Sequence, residues 1–267
     1  QWGRAGKLEI RTGKESGETV EVTTVEPVPC VITGLHLRLD GDTKYVALTF
    51  DDGPSITYTE RYLKILDTYG VKATFFDLGE NISQYPSLAR KVVDAGHELG
   101  NYTMAQESLV GEDAQQIKAA IDESSAVVES VTGMPAAHLR PPRGEFSTQS
   151  WIASGGSVSA VIRWSADSQD WRLPGADAIV SNSLIDIHSG SVILMHEGGG
   201  DRSQDIEALP RLIEYLQAEG YEFVTISDLL RQVGTIPEDV CSGTATMPED
   251  AAWPEEIAPT GYFDEDE

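Results

Sequence analysis

Basic residues are scarce in this chain. Its 267 residues set 19 Lys and Arg against 44 Asp and Glu, a formal charge of −25 and a pI near 4.4. A surface of that sign excludes the phosphate backbone of nucleic acid, which must be neutralised by clustered Lys and Arg, and it is repelled by anionic lipid headgroups. Uncharged or cationic partners fit better. Long apolar runs are missing as well: none approaches the roughly 18 residues of a membrane span, so no direct membrane binding by this chain is expected. Cysteine is down to two, Cys30 and Cys241, and the chain opens Gln1-Trp2-Gly3 without Met; any targeting segment is expected to lie outside it.

What remains is ordinary for a globular chain, with 40% hydrophobic and 24% charged residues. The length fits one large domain or two small ones. Three regions are read along it. Residues 1–43 form a β-rich lead-in, in which Glu18-Thr19-Val20-Glu21-Val22-Thr23 alternates polar and β-branched side chains as an exposed strand does. Residues 234–267 carry ten acids and no Lys or Arg, which reads as a solvated, partly disordered tail, with an acidic interaction segment as the alternative. Between them, residues 44–233 alternate short apolar runs with stretches of helical period, each closed by Gly.

Seven strands are expected in that middle region: Tyr45–Phe50, Val71–Leu78, His97–Gly100, His138–Arg140, Val158–Trp164, Ser191–Met195 and Glu222–Ile226. Helical spacing appears in Tyr58, Tyr62, Ile65, Leu66 and Tyr69, in Leu88 and Val92 behind Pro86, in Ile117 through Val131, in Ile179 through Ile187, and in Ile206 through Leu216. Strand–helix alternation implies parallel strands with crossover helices, in an open doubly wound sheet or a barrel. Unusual polar groups follow five strand ends: Asp51-Asp52-Gly53-Pro54, Asn101-Tyr102-Thr103, Arg140-Pro141-Pro142-Arg143-Gly144, Asp167–Trp171 and His196-Glu197-Gly198-Gly199-Gly200. An open sheet has one crevice at its switch point. Polar groups on five strand ends favour a barrel, whose C-terminal rim gathers loops from every strand.

Thr49-Phe50-Asp51-Asp52-Gly53-Pro54, Ala73-Thr74-Phe75-Phe76, Gly96–Asn101, Arg140-Pro141-Pro142, Asp167–Trp171 and Leu194-Met195-His196 resemble, in unbroken order, the motifs of the NodB-homology polysaccharide deacetylases. The resemblance covers about residues 44–233. It implies an α/β fold, a distorted (β/α) barrel of about seven parallel strands, and metal-dependent removal of acetyl groups from cell-wall glycan such as peptidoglycan, chitin-like oligomers or xylan. It places the general base on Asp51, its orienting arginine on Arg140, the general acid on His196, the aspartate that tunes that histidine on Asp170, a pocket aromatic on Trp171, and a backbone N–H for the oxyanion on Arg143. The metal aspartate falls on Asp52. The family's two metal histidines would fall in Tyr102-Thr103-Met104-Ala105-Gln106, where Tyr102 and Gln106 stand instead.

That departure matters chemically. A bound divalent metal lowers the pKa of water from about 15.7 toward 7 and polarises the carbonyl, and catalytic zinc keeps three protein ligands. Asp52 alone is left, so no resident cofactor is expected unless Glu107 or Asp77 rescues a site for Zn or another divalent metal; Asp77 reads equally as a cap or surface residue. Two functions follow. One is a degenerate member, a pseudoenzyme that binds cell-wall polysaccharide or oligosaccharide through Trp171, Tyr102 and Arg143. The other is an active hydrolase of acetamide or acetyl ester bonds with an altered site. Asp51-Asp52-Gly53-Pro54 also suits a plain strand-to-helix turn, and Arg143 is either a rim arginine in solvent or the cation that offsets Asp52. His97 reads as structural, and His36, His138 and His188 as surface or partly buried. Cys30 and Cys241 flank a barrel whose ends lie close, which favours a disulfide. An extracellular or cell-envelope location is expected.

Overall fold

The computed structural model describes residues 7–12, 19–25, 37–145 and 158–244. β1 (Lys7–Thr12) and β2 (Thr19–Val25) pair antiparallel as a separate ribbon. The body then alternates β3 (Lys44–Asp51), α1 (Thr59–Tyr69), β4 (Thr74–Asp77), α2 (Gly79–Gln84), α3 (Pro86–Asp94), β5 (Glu98–Asn101), α4 (Ala114–Thr132), β6 (Ala166–Asp167), α5 (Ala176–Ser183), β7 (Ser191–His196), α6 (Ser203–Ala218), β8 (Tyr221–Val224), α7 (Ile226–Arg231) and α8 (Glu238–Cys241). Each helix begins or ends where its sequence dictates. Pro86 opens α3 with its φ already set and no N–H to lose. Asp113 and Gln116 cap α4 reciprocally, and Gly70 and Gly133 close α1 and α4 in left-handed conformation.

Six parallel strands make one sheet, with β3 at its centre. β7 pairs with β3 from Val46 to Asp51, while the other edge of β3 is divided: β8 pairs with Lys44–Ala47 and β4 with Thr49–Asp51. Beyond β5 the ring is completed by single parallel bridges, Asn101 to Leu139 and Leu139 to Val161, after which β6 pairs with β7. The result is a distorted barrel. The expected strands His138–Arg140 and Val158–Trp164 are thus staves reduced to one bridging residue each, Leu139 and Val161.

Strand parity divides the core. Val46, Leu48 and Phe50 of β3 face outward with Phe75, Ile193 and Met195 onto α1, α3, α5 and α6. Phe50 lies against Phe75 and Tyr62, ring centroids 5.0 and 4.8 Å apart; truncating it to Ala would cost about 3–5 kcal/mol. Ala47, Phe76 and Val192 face inward and cluster with Leu139, Val161 and Ile162, with α7 and α8 packed against them. Val240 and Cys241 are buried there, so the packed chain runs on to Thr244, past the boundary drawn at 233. The Cys241 thiol is free and directed at the Ile236 carbonyl; its expected partner, Cys30, lies outside the described residues, as does His36. His138 is not a surface residue: it is fully buried, with Nε2 3.0 Å from the Cys241 carbonyl, and burial pushes its pKa down to about 4. His97 is structural, Nδ1 accepting the Ala73 N–H at 3.2 Å. Among the described residues no helix is long and apolar enough to cross a membrane.

Candidate active site

The inward parity that buries Ala47 also carries Thr49 and Asp51 to the C-terminal end of β3. In the neighbouring strand it carries Val192, Leu194 and His196. Register places Asp51 directly opposite His196. Arg140 enters from the Leu139 stave and is fully buried. Its Nη1 donates to Asp51 Oδ1 at 2.6 Å and to Thr49 Oγ1 at 2.8 Å, and its Nε to the Ile162 carbonyl at 3.3 Å. The guanidinium lies over Phe76, 4.2 Å from the ring centroid. Burial raises the Asp51 carboxyl to about 6, against the opposing pull of Arg140 and His196.

His196 is bound twice by one carboxylate. Its Nδ1 is 2.7 Å from Asp170 Oδ1, and its backbone N–H donates to Asp170 Oδ2 at 2.7 Å. Burial alone would depress the imidazole, but the hydrogen bond and charge of Asp170 outweigh it and lift the pKa to about 9, while Asp170 is held near 2. Asp51, Arg140, Asp170 and His196 are therefore brought together as the sequence predicts. Trp171, one residue on, is 52% exposed with Arg172 stacked on it at 4.5 Å.

Asp52 sits in left-handed conformation at φ 70°, its carbonyl held by Asn81 Nδ2 at 3.0 Å. Its carboxylate is engaged from a different quarter than expected. Gln106 Nε2 donates to Asp52 Oδ1 at 2.9 Å, and the cations that act on it are His196 and Arg202, not Arg143. Arg143 is exposed and makes no ion pair with Asp52. The turn Pro142–Gly144 puts it at φ 59°, with its backbone N–H, rather than its guanidinium, toward the Tyr102 hydroxyl at 3.4 Å. Tyr102 is only 2% exposed, too enclosed to stack on a sugar. Burial raises the Asp52 carboxyl, partly offset by His196 and Arg202.

Arg202 had no motif to announce it, and Asp77 and Glu197, each picked out singly in the sequence, were not expected to face each other. Arg202 is buried before α6, its Nη1 3.8 Å from Asp170 Oδ2, and its signal in the sequence is only an arginine after three glycines in an acid-rich chain. Asp77 and Glu197 meet beneath the Asp51–Gly53 turn, both fully buried. A Cβ on Gly53 would lie 1.6 Å from Glu197 Oε1 and 2.5 Å from Asp77 Oδ1, which is why glycine stands there. Burial raises both acids, Glu197 to about 7, and the charge of Glu197 raises Asp77 further. Asp77 is thus neither cap nor surface residue, and Glu107 is exposed.

The donor set does not suit a divalent metal. Of the three positions where ligands are expected, Asp52 alone carries a carboxylate; the Gln106 amide presents N–H to it, and burial beside Asp51 and Asp52 keeps the Tyr102 phenol protonated. Among the described residues no three His, Cys, Asp or Glu side chains converge on a common point.

A parallel α/β barrel whose rim joins an arginine-held carboxylate to a histidine–aspartate pair defines a carbohydrate-deacetylase class of protein. The chain belongs to the polysaccharide deacetylase family, whose sequence profile matches residues 38–155. It is 35% identical over 196 residues to a peptidoglycan-N-acetylglucosamine deacetylase of Bacillus cereus, covering 73% of this chain and 92% of that protein. It is also 35% identical over 200 residues to a chitooligosaccharide deacetylase of Bradyrhizobium, covering 70% and 91%. A solved relative, the BA3943 mutant described as a CE4 family pseudoenzyme with restored enzymatic activity, superposes with a TM-score of 0.69 at 28% identity, covering 82% of this chain and 79% of that one.

Proposed function

We propose that this chain is a degenerate polysaccharide deacetylase that binds cell-wall glycan at the cell envelope, with its acid–base pair kept and its metal site overwritten. One observation carries this: both groups at the expected histidine positions occupy what a metal and substrate would need. Gln106 holds Asp52, and the Tyr102 hydroxyl sits on the Arg143 N–H that family resemblance assigns to the oxyanion. When bound, the family's metal would supply the hydroxide and polarise the acetyl carbonyl; nothing in this donor set takes its place. The charge a dication would have balanced is met by Arg140, Arg202 and the His196 imidazolium against Asp51, Asp52 and Asp170. Trp171 offers the open aromatic face for a sugar ring.

The test is zinc binding and acetate release from N-acetylated chitooligosaccharide and peptidoglycan, for the natural chain and for Tyr102→His with Gln106→His. The double variant is expected to gain both. Chelator-sensitive acetate release by the natural chain, at a rate matching the double variant, would overturn the reading. A second reading is supported by the protonation states: Asp51 is a base above about pH 6 and His196 an acid below about 9, the window a metal-free hydrolase needs. It requires acetate release that survives chelator and peaks between those values.

A further inference from the structure

Behind the His196–Asp170 pair lies an acid that the mechanism so far leaves idle. Asp205, the third residue of α6, is fully buried, neither of its carboxyl oxygens accepts a hydrogen bond in the structure, and the side chain it faces is that of Asp170. Asp170 has no proton of its own to offer it: one oxygen takes His196 Nδ1 and the other the His196 N–H, with Arg202 beyond at 3.8 Å. Two buried carboxylates within hydrogen-bond reach of each other cannot both stay ionised unless donors surround both.

We propose that Asp205 is a neutral carboxylic acid that donates its proton to Asp170, a positioning residue that holds the Asp170 carboxylate in the plane where both oxygens meet His196. An O–H···O⁻ bond of this kind is short and charge-assisted. The groups facing Asp205 set its state. Asp170, from the turn Asp170–Arg172, raises its pKa, with Arg202 at the head of its own helix opposing; from α1, Tyr62 faces it and donates its hydroxyl to the His196 carbonyl at 2.9 Å. The position near the N-terminus of α6 would ordinarily favour an ionised acid, but burial and the fixed anion of Asp170 dominate, and Asp205 is pushed up to about 9. The consequence is directional: by sharing the negative charge of Asp170, Asp205 keeps the imidazolium able to release its proton instead of locking it.

The inference rests on the reading of His196 as the site's acid for its meaning, but its test uses the chain without glycan or metal. Carboxyl ¹³C and imidazole ¹⁵N titrations of the intact protein should show Asp205 protonated at pH 7. Asp205→Asn, which keeps a neutral donor, should leave the His196 midpoint within about 0.3 pH units of the natural chain and preserve its downfield Nδ1–H resonance. Asp205→Ala should raise the midpoint and broaden or lose that resonance. Should Asp205→Ala fail to fold, Asp205→Asn and the ¹³C titration decide. A ¹³C midpoint for Asp205 below about 5, or a fall of more than about one unit in the His196 midpoint in Asp205→Asn, would show an ionised Asp205 and overturn the proposal.

Discussion

Replacing Asp170 by Asn removes the charge that holds His196 protonated and leaves its ring nearly the same size of neighbour. Burial then acts on the imidazole against only the smaller pull of Asp51 and Asp52, and the midpoint should fall from about 9 toward the ordinary 6.5 or below it. At pH 7 the site would change from almost wholly imidazolium to mostly neutral. The energetic consequence follows from the shift: about 2.5 units at 1.36 kcal/mol each is roughly 3 kcal/mol of folding stability. Because the folded pKa is raised, that contribution is complete below about pH 6.5 and is lost as pH rises through about 9. The backbone bond from the His196 N–H to Asp170 Oδ2 does not titrate, so a residual deficit of about 1 kcal/mol should persist in alkali. Urea unfolding of both proteins at pH 6 and pH 10, beside an imidazole ¹⁵N titration, reads both quantities. A stability gap equal at the two pH values, or a His196 that still titrates near 9 in Asp170→Asn, would refute the reasoning.

Other expectations are more local. A Cβ at Gly198 would stand 2.0 Å from the Asp52 carbonyl, so Gly198→Ala should cost at least about 2 kcal/mol in urea unfolding and displace the Asp52 turn. His138 is neutral when folded, so stability should fall by up to about 3 kcal/mol as pH drops from 6.5 to 4; His138→Gln, which keeps a donor for the Cys241 carbonyl, should flatten that acid limb. Trp171→Ala should leave the thermal midpoint within a degree or two while weakening chitooligosaccharide binding about fivefold, the worth of roughly 1 kcal/mol of stacking, by calorimetry.

The sequence is most readable where periodicity and burial coincide. Tyr45–Phe50 and Ser191–Met195 became β3 and β7 within a residue or two, since a strand covered on both faces reads as a continuous apolar run. The runs at 138–140 and 158–164 looked equally strand-like, but Pro141 and Pro142 lack the N–H to extend the first as a ladder, and one bridging residue in each run is what remains. β6 is two residues long and left no pattern. In the site, Asp51, Arg140, Asp170 and His196 were legible because each sits in a motif tied to a strand end. Arg202, Asp205 and the pairing of Asp77 with Glu197 were not, because their meaning lies in who faces whom across the barrel; of the two readings left open for Arg143 the exposed rim arginine holds, because a left-handed residue turns its backbone, not its side chain, into the site.

The direct pairing of Asp51 with His196 has a consequence for how such a site can age. Neighbouring strands keep a separation of about 4.8 Å regardless of the side chains they carry, so the distance between proton acceptor and proton donor belongs to the sheet. Changing it means unmaking β3 and β7, and with them most of the ladder. Tyr102 and Gln106, by contrast, stand on the loop after β5, where an exchange breaks no strand pairing. Genetic drift therefore meets unequal resistance across the rim. Loop-borne parts are free to be traded and regained by one or two codon changes, while the strand-borne pair persists as long as the protein folds at all.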